Sequence, residues 1–99
     1  MILCKIAMPE KKVIIRYPAG LHARPASLFA QLAARYKSEV TIRKDDLIIN
    51  GKSIMNILLL AAEQGSEITI QTQGEDADSA LAALVNLVEK SFAVEAPRA

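Results

Sequence analysis

The chain has 99 residues, 52% of them hydrophobic and 23% charged, proportions that suit one globular domain and exclude disorder throughout. Twelve Lys and Arg stand against eleven Asp and Glu, a formal net charge of +1, so there is neither a basic field for nucleic acid nor an acidic tail. A single cysteine, Cys4, and a single histidine exclude a disulfide framework and a cysteine-built or multi-histidine metal site, while the lack of a signal-like start or of a run near ~20 apolar residues gives the expectation of a cytoplasmic protein with no membrane insertion.

Taken in chain order, residues 1–10 read as an N-terminal extension, 11–92 as the folded domain and 93–99, with Pro97 and no periodicity, as a tail. Lys12 to Arg16 is rich in β-branched residues and predicts a first strand, closed by the turn Tyr17-Pro18-Ala19-Gly20. Pro25 suits the start of a helix, whose apolar positions Leu28, Phe29, Leu32, Ala33 and Tyr36 recur at helical spacing. Glu39 to Arg43 alternates as a half-buried strand does, Lys44-Asp45-Asp46 is a polar turn, and Leu47-Ile48-Ile49 is the returning strand. Asn50-Gly51 ends the hairpin, and Ser53 is placed to cap a helix running from Ile54 to about Glu63, before Gly65. Glu67 to Gln71 alternates as a fourth strand. A last helix from about Asp76 or Ala77 to Phe92 carries the stripe Ala77, Ala80, Leu81, Leu84, Val85, Val88 and Phe92. The order β-α-β-β-α-β-α predicts an α+β open-faced sandwich, a four-stranded antiparallel sheet covered on one face by three helices.

The stretch Gly20-Leu21-His22-Ala23-Arg24-Pro25-Ala26 carries the chemistry. It puts the histidine at a strand-to-helix turn, where free backbone N–H groups and the positive end of the helix dipole favour an anion. A neutral imidazole is a nucleophile. Arg24, two residues on, brings a planar guanidinium suited to phosphoryl oxygens. Set against this, a lone histidine at a helix start is most often a cap or a plain surface residue. Further on, Ile54-Met55-Asn56-Ile57-Leu58-Leu59-Leu60 is more apolar than one helix face needs, and the surplus points to an exposed patch for partners. The plainer reading of that surplus is core.

These residues resemble the HPr family, the histidine-containing phosphocarriers of the phosphoenolpyruvate-dependent sugar phosphotransferase system. The resemblance rests on Gly20 to Ala26, on Lys52-Ser53-Ile54-Met55 and on Gln64-Gly65-Ser66-Glu67-Ile68, and it covers roughly Lys11 to Phe92. It implies that enzyme I phosphorylates His22 on Nδ1 and that phospho-His22 passes the group to IIA domains of sugar transporters. Arg24 would stabilise the phosphoryl oxygens, helped by the backbone N–H groups of Ala23 and Arg24, with no metal or other cofactor. Ser53 matches the family's regulatory serine, the target of HPr kinase/phosphorylase, and Ile54, Met55 and Leu58 would face outward as a docking patch while Ile57 and Leu60 pack inward. Enzyme I, IIA domains and, with Ser53 phosphorylated, a transcription regulator would dock there. Ala19 departs from the family, many of whose members have Ser or Asn near the phosphoryl group. Cys4 lies in the extension and reads as an inert thiol.

The chain is thus expected to be a carrier rather than an enzyme, and a monomer, since a patch serving several partners in turn must be free. Two alternatives remain: a regulatory module of the same fold acting through Ser53, and a carrier in a nitrogen-related branch of phosphotransfer.

Overall fold

The computed structural model describes residues 9–18 and 20–92. Cys4, Ala19 and the tail therefore lie outside the described residues. The elements are β1 (Glu10–Ile14), α1 (Ala23–Ala33), β2 (Glu39–Lys44), β3 (Leu47–Asn50), α2 (Ile54–Leu59), β4 (Glu67–Gln73) and α3 (Ala77–Glu89). The strands form one antiparallel sheet in the order β1-β4-β2-β3. The architecture is the expected open-faced α+β sandwich.

Alternation along the strands decides which face is covered. Val13, Val40, Ile42, Ile49, Ile68 and Ile70 turn to the helices and are buried, whereas Lys12, Glu67, Thr41 and Arg43 occupy the other face. From the helices, Ala26, Phe29, Ala30, Ile57, Leu60, Leu84 and Val88 complete a single core.

Several boundaries differ from the sequence reading. Strand β1 begins at Glu10, inside the stretch read as an extension, and pairing reaches Pro9, whose carbonyl accepts from Thr72 N–H at 3.0 Å. At its other end Ile15 stays fully buried, bonded to the 65–66 turn by Ile15 N–H to Ser66 O at 2.9 Å. Helix α1 starts at Ala23, so Pro25 lies within its first turn, where the missing N–H leaves no bond unmade. Its innermost residues are Pro25, Ala26, Phe29, Ala30 and Ala33, with Leu28 and Leu32 only partly buried at the margins. The small alanines let the helix sit close to the sheet and push the bulkier leucines outward. Tyr36, expected on the stripe, falls beyond the helix and is half-buried.

Helix α2 stops at Leu59 rather than near Glu63. The N–H groups of Leu60 and Ala61 reach back three residues to Ile57 O and Leu58 O, and Ala61 takes a left-handed φ of 50°. The chain therefore leaves the helix well before Gly65. Helix α3 ends at Glu89, and Ser91 and Phe92 turn through left-handed φ values of 54° and 62°. That turn, closed by Phe92 N–H to Leu87 O at 2.8 Å, folds the Phe92 ring into the core. There it meets Tyr17 edge-on, with ring centroids 5.8 Å apart.

A polar staple closes the opposite end of the domain. The Asp76 carboxylate accepts from the backbone N–H groups of Lys37 and Ser38, both at 2.9 Å, and from the buried Ser38 hydroxyl. These bonds, the Ser38 hydroxyl foremost and the Lys37 N–H next, hold the Asp76 carboxyl down to about 2, below the usual carboxylate range.

Candidate functional site: the start of helix α1

His22 is the N-cap residue of α1, in extended backbone conformation (φ −92°, ψ −170°), and its side chain is exposed. The His22 side chain makes no capping hydrogen bond. Of the first backbone donors, His22 N–H bonds Gly20 O at 3.0 Å and Pro25 has none. The N–H groups of Ala23 and Arg24 are left without an intrahelical acceptor. Among the described residues the imidazole thus stands beside two donors with no acceptor, at the positive end of a helix of 11 residues. That arrangement suits a nucleophile that comes to carry an anionic group.

The loop in front of His22 is held tightly. Gly20 adopts a φ of 73°, and a Cβ there would lie 2.6 Å from Ala62 O and 2.8 Å from Glu63 Cα. Only glycine allows this approach. The next residue, Leu21, donates its N–H to the same Ala62 carbonyl at 2.8 Å, and Leu21 is buried. On the other side Tyr17 rests on Phe92, and Gln64 Nε2 donates to Arg16 O at 3.3 Å. His22 is therefore positioned by contacts from the segment after α2 and from the end of α3.

Two depressions flank it. One, of about 290 Å³, is lined by Leu21, His22, Leu58, Ala61, Ala62 and Glu63. The other, of about 390 Å³, is lined by Ala23, Arg24, Ser27, Leu28 and Gln31. Arg24 is exposed and belongs to the second, Glu63 to the first. The sequence reading gave Glu63 only as the end of a helix. Its nearness to His22 follows from the early end of α2, which neither spacing nor composition announces.

Helix α2 brings an apolar surface up to this site. Ile57 and Leu60 are buried, while Ile54, Met55 and Leu58 are 39%, 73% and 37% exposed. Leu59, 67% exposed, joins them and was not singled out from the sequence. The surplus of large residues in this short segment was the signal that could have found it. Leu58 shares the depression of His22, and Met55 lies one turn earlier on the same helix.

Ser53 caps α2 at its far end: Ser53 Oγ accepts from Asn56 N–H at 3.2 Å and from Asn56 Nδ2 at 3.1 Å. Lys52 Nζ donates to Tyr36 O at 2.8 Å, tying this end to the segment after α1. A helix of six residues spans about 9 Å. Ser53 is accordingly a helix-length away from the depression at His22 and lines no part of it. The structure brings together His22, Ala23, Arg24, Leu58 and Glu63 around one helix start and keeps Ser53 apart.

No helix among the described residues is long and apolar enough to cross a membrane. Comparison with known proteins bears on the whole domain. A family model described as the PTS HPr component phosphorylation site matches residues 9–90. An HPr-like protein Crh from Halalkalibacterium halodurans is 47% identical over 83 residues, covering 84% of this chain and 99% of that protein. Among solved structures, phosphocarrier protein HPr from Bacillus anthracis superposes with a TM-score of 0.80 at 48% identity, covering 84% of this chain and 99% of that one. Bacillus subtilis Crh, described there as a dimer with a swapped domain, gives 0.70 at 38% identity, covering 95% of this chain and 100% of that one. A match of this extent, over the element order and sheet just described, means that the chain belongs to the HPr family of phosphotransferase-system phosphocarrier proteins.

Proposed function

We propose that His22 is the phosphoryl-accepting residue, charged by phospho-enzyme I and discharged to sugar-specific IIA domains. The observation that carries this reading is the exposed His22 imidazole at the N-cap of α1, beside the N–H groups of Ala23 and Arg24, which find no acceptor among the described residues, and with the Arg24 guanidinium two residues on. In the transfer, the lone pair of Nδ1 forms a bond to phosphorus, and the donor's bond to phosphorus breaks with its electron pair returning to the donor. The ring keeps its Nε2 proton as the new bond forms. Charge grows on the equatorial phosphoryl oxygens, and the two N–H groups and Arg24 stabilise it there. Discharge to a IIA domain is the same step run toward another acceptor. The chain acts as a covalent intermediate in a relay and is not itself an enzyme.

Ile54, Met55 and Leu58 form the docking patch for these partners. Their exposure and their continuity with the depression at His22 support this use. Serving enzyme I and IIA domains in turn requires the patch to be free, so the working state is a monomer. Size-exclusion chromatography with light scattering tests that, with a swapped dimer of the kind described for Bacillus subtilis Crh as the contrary result.

Ser53 is a site of regulatory phosphorylation by HPr kinase/phosphorylase. A phosphate on Ser53 would add about two negative charges at the edge of the apolar patch. That would weaken docking of the relay partners and favour a transcription regulator. The similarity to Crh supports a second reading, a regulatory module that works through Ser53 alone. Reconstitution separates the two. With enzyme I, phosphoenolpyruvate and a IIA domain, Ser53→Ala passes phosphoryl groups onward at near wild-type rate and His22→Ala passes none. A wild type that relays nothing, with function lost in Ser53→Ala, supports the second reading.

A further inference from the structure

We propose that Glu63 is a positioning residue for the phosphoryl group on His22, repelling it from the α2 side and toward Arg24, and so raising its tendency to leave. The inference rests on the carrier reading above. Glu63 borders the same depression of about 290 Å³ as His22, whereas Arg24 lines a separate one that shares no residue with it. Its backbone is fixed there. Glu63 N–H donates to Ser66 Oγ at 3.0 Å, its carbonyl accepts from Ser66 N–H at 2.9 Å, and Gly20 packs directly against its Cα. The side chain is exposed and makes no ion pair among the described residues. An unpaired carboxylate next to a group that must accept a phosphoryl dianion is unfavourable for the loaded state. A carrier nonetheless benefits from it, because the next acceptor must be able to take the group away.

The bond changes are those of the relay and none is added. Glu63 acts only through its charge, on the stability of the N–P-bonded state and on the side the phosphoryl oxygens face. Like charges, a carboxylate and a phosphoryl dianion, taken as ~10 Å apart in water correspond to a roughly three- to fivefold change in the equilibrium at low ionic strength.

The test is a partition experiment. Equal amounts of ¹⁵N-labelled phosphorylated wild type and unlabelled, unphosphorylated Glu63→Gln are mixed with a catalytic trace of enzyme I. The approach is repeated from the opposite direction, and both proteins are read by intact mass. The expected result at about 0.01 M ionic strength is a three- to fivefold preference of the phosphoryl group for Glu63→Gln. That preference falls toward one at ~0.5 M salt, where exposed charges are screened. Glu63→Lys is expected to show a larger preference with the same salt dependence. Equal partition at low salt overturns the proposal, as does a preference that persists unchanged at high salt, since that would reflect altered packing at Gly20 rather than charge. A wild type that enzyme I cannot phosphorylate at all overturns the carrier reading itself, and the role of Glu63 falls with it.

Discussion

Replacing Gly20 by alanine probes the contact that sets His22 in place. At φ 73° an alanine is disfavoured by roughly 1–2 kcal/mol. Its Cβ would also meet Ala62 O at 2.6 Å and Glu63 Cα at 2.8 Å. Both are backbone atoms and cannot rotate aside. Moving the loop outward to relieve them breaks the 2.8 Å bond from Leu21 N–H to Ala62 O, worth about 1 kcal/mol. The expected loss is about 2–3 kcal/mol, a fall in Tm of about 8–24 °C for a domain of this size. Gly65→Ala is the control: its φ is 92°, but a Cβ there meets nothing within 4 Å, so only the backbone cost of roughly 1–2 kcal/mol applies. Urea denaturation followed by circular dichroism measures both. Gly20→Ala should in addition slow phosphorylation of His22, while Gly65→Ala should leave it near wild type. If Gly20→Ala costs no more than Gly65→Ala, the loop is not clamped on the 62–63 segment and the positioning argument fails.

Other consequences are more local. Arg24→Ala is expected to slow phosphoryl transfer to His22 by about 100-fold with little change in Tm, as loss of one charge-stabilising donor does; rapid-quench kinetics would show this, and an unchanged rate would remove Arg24 from the site. Ser53→Ala removes the cap bond to Asn56 N–H and should cost about 1 kcal/mol in thermal unfolding. Asp76 has a folded value of about 2, below the ordinary 3.8, so the stability it contributes is present above about pH 4 and is lost as pH falls toward 2. An acid titration of Asp76→Asn should accordingly show a shallower loss of stability over that window than wild type, and parallel curves would contradict the assignment. Met55→Asp, on a side chain 73% exposed, should leave folding intact and weaken enzyme I binding in calorimetry.

Much of this architecture is legible in the sequence because its cues are local. Alternation in Glu39 to Arg43 and Glu67 to Gln71, and the spacing of Ala80, Leu84 and Val88, report burial one element at a time; the exception is Thr69, buried on the central strand β4 although the alternation turns it away from the helices. Ser53 likewise caps α2 as its position before Ile54 suggests. What the pattern conceals depends on packing between elements. The inner face of α1 is built from Ala26, Ala30 and Ala33, whose small side chains contribute little to any apolar periodicity. The early end of α2 depends on Ala61 accepting a left-handed φ, which nothing in the local composition signals. From that turn follow both the clamp on Gly20 and the position of Glu63. The Asp76–Ser38 staple joins residues far apart in the chain and is invisible to any windowed reading. Within the candidate site, His22, Arg24 and the apolar surplus of α2 were legible, while the neighbours that hold and charge the site were not.

The central claim is that His22 accepts the phosphoryl group. Intact-mass analysis after incubation with enzyme I and phosphoenolpyruvate tests it most directly, on wild type and on His22→Ala. The account predicts a single acid-labile phosphoryl adduct on wild type and none on His22→Ala. An unmodified wild type, or an adduct that persists in His22→Ala, would contradict it.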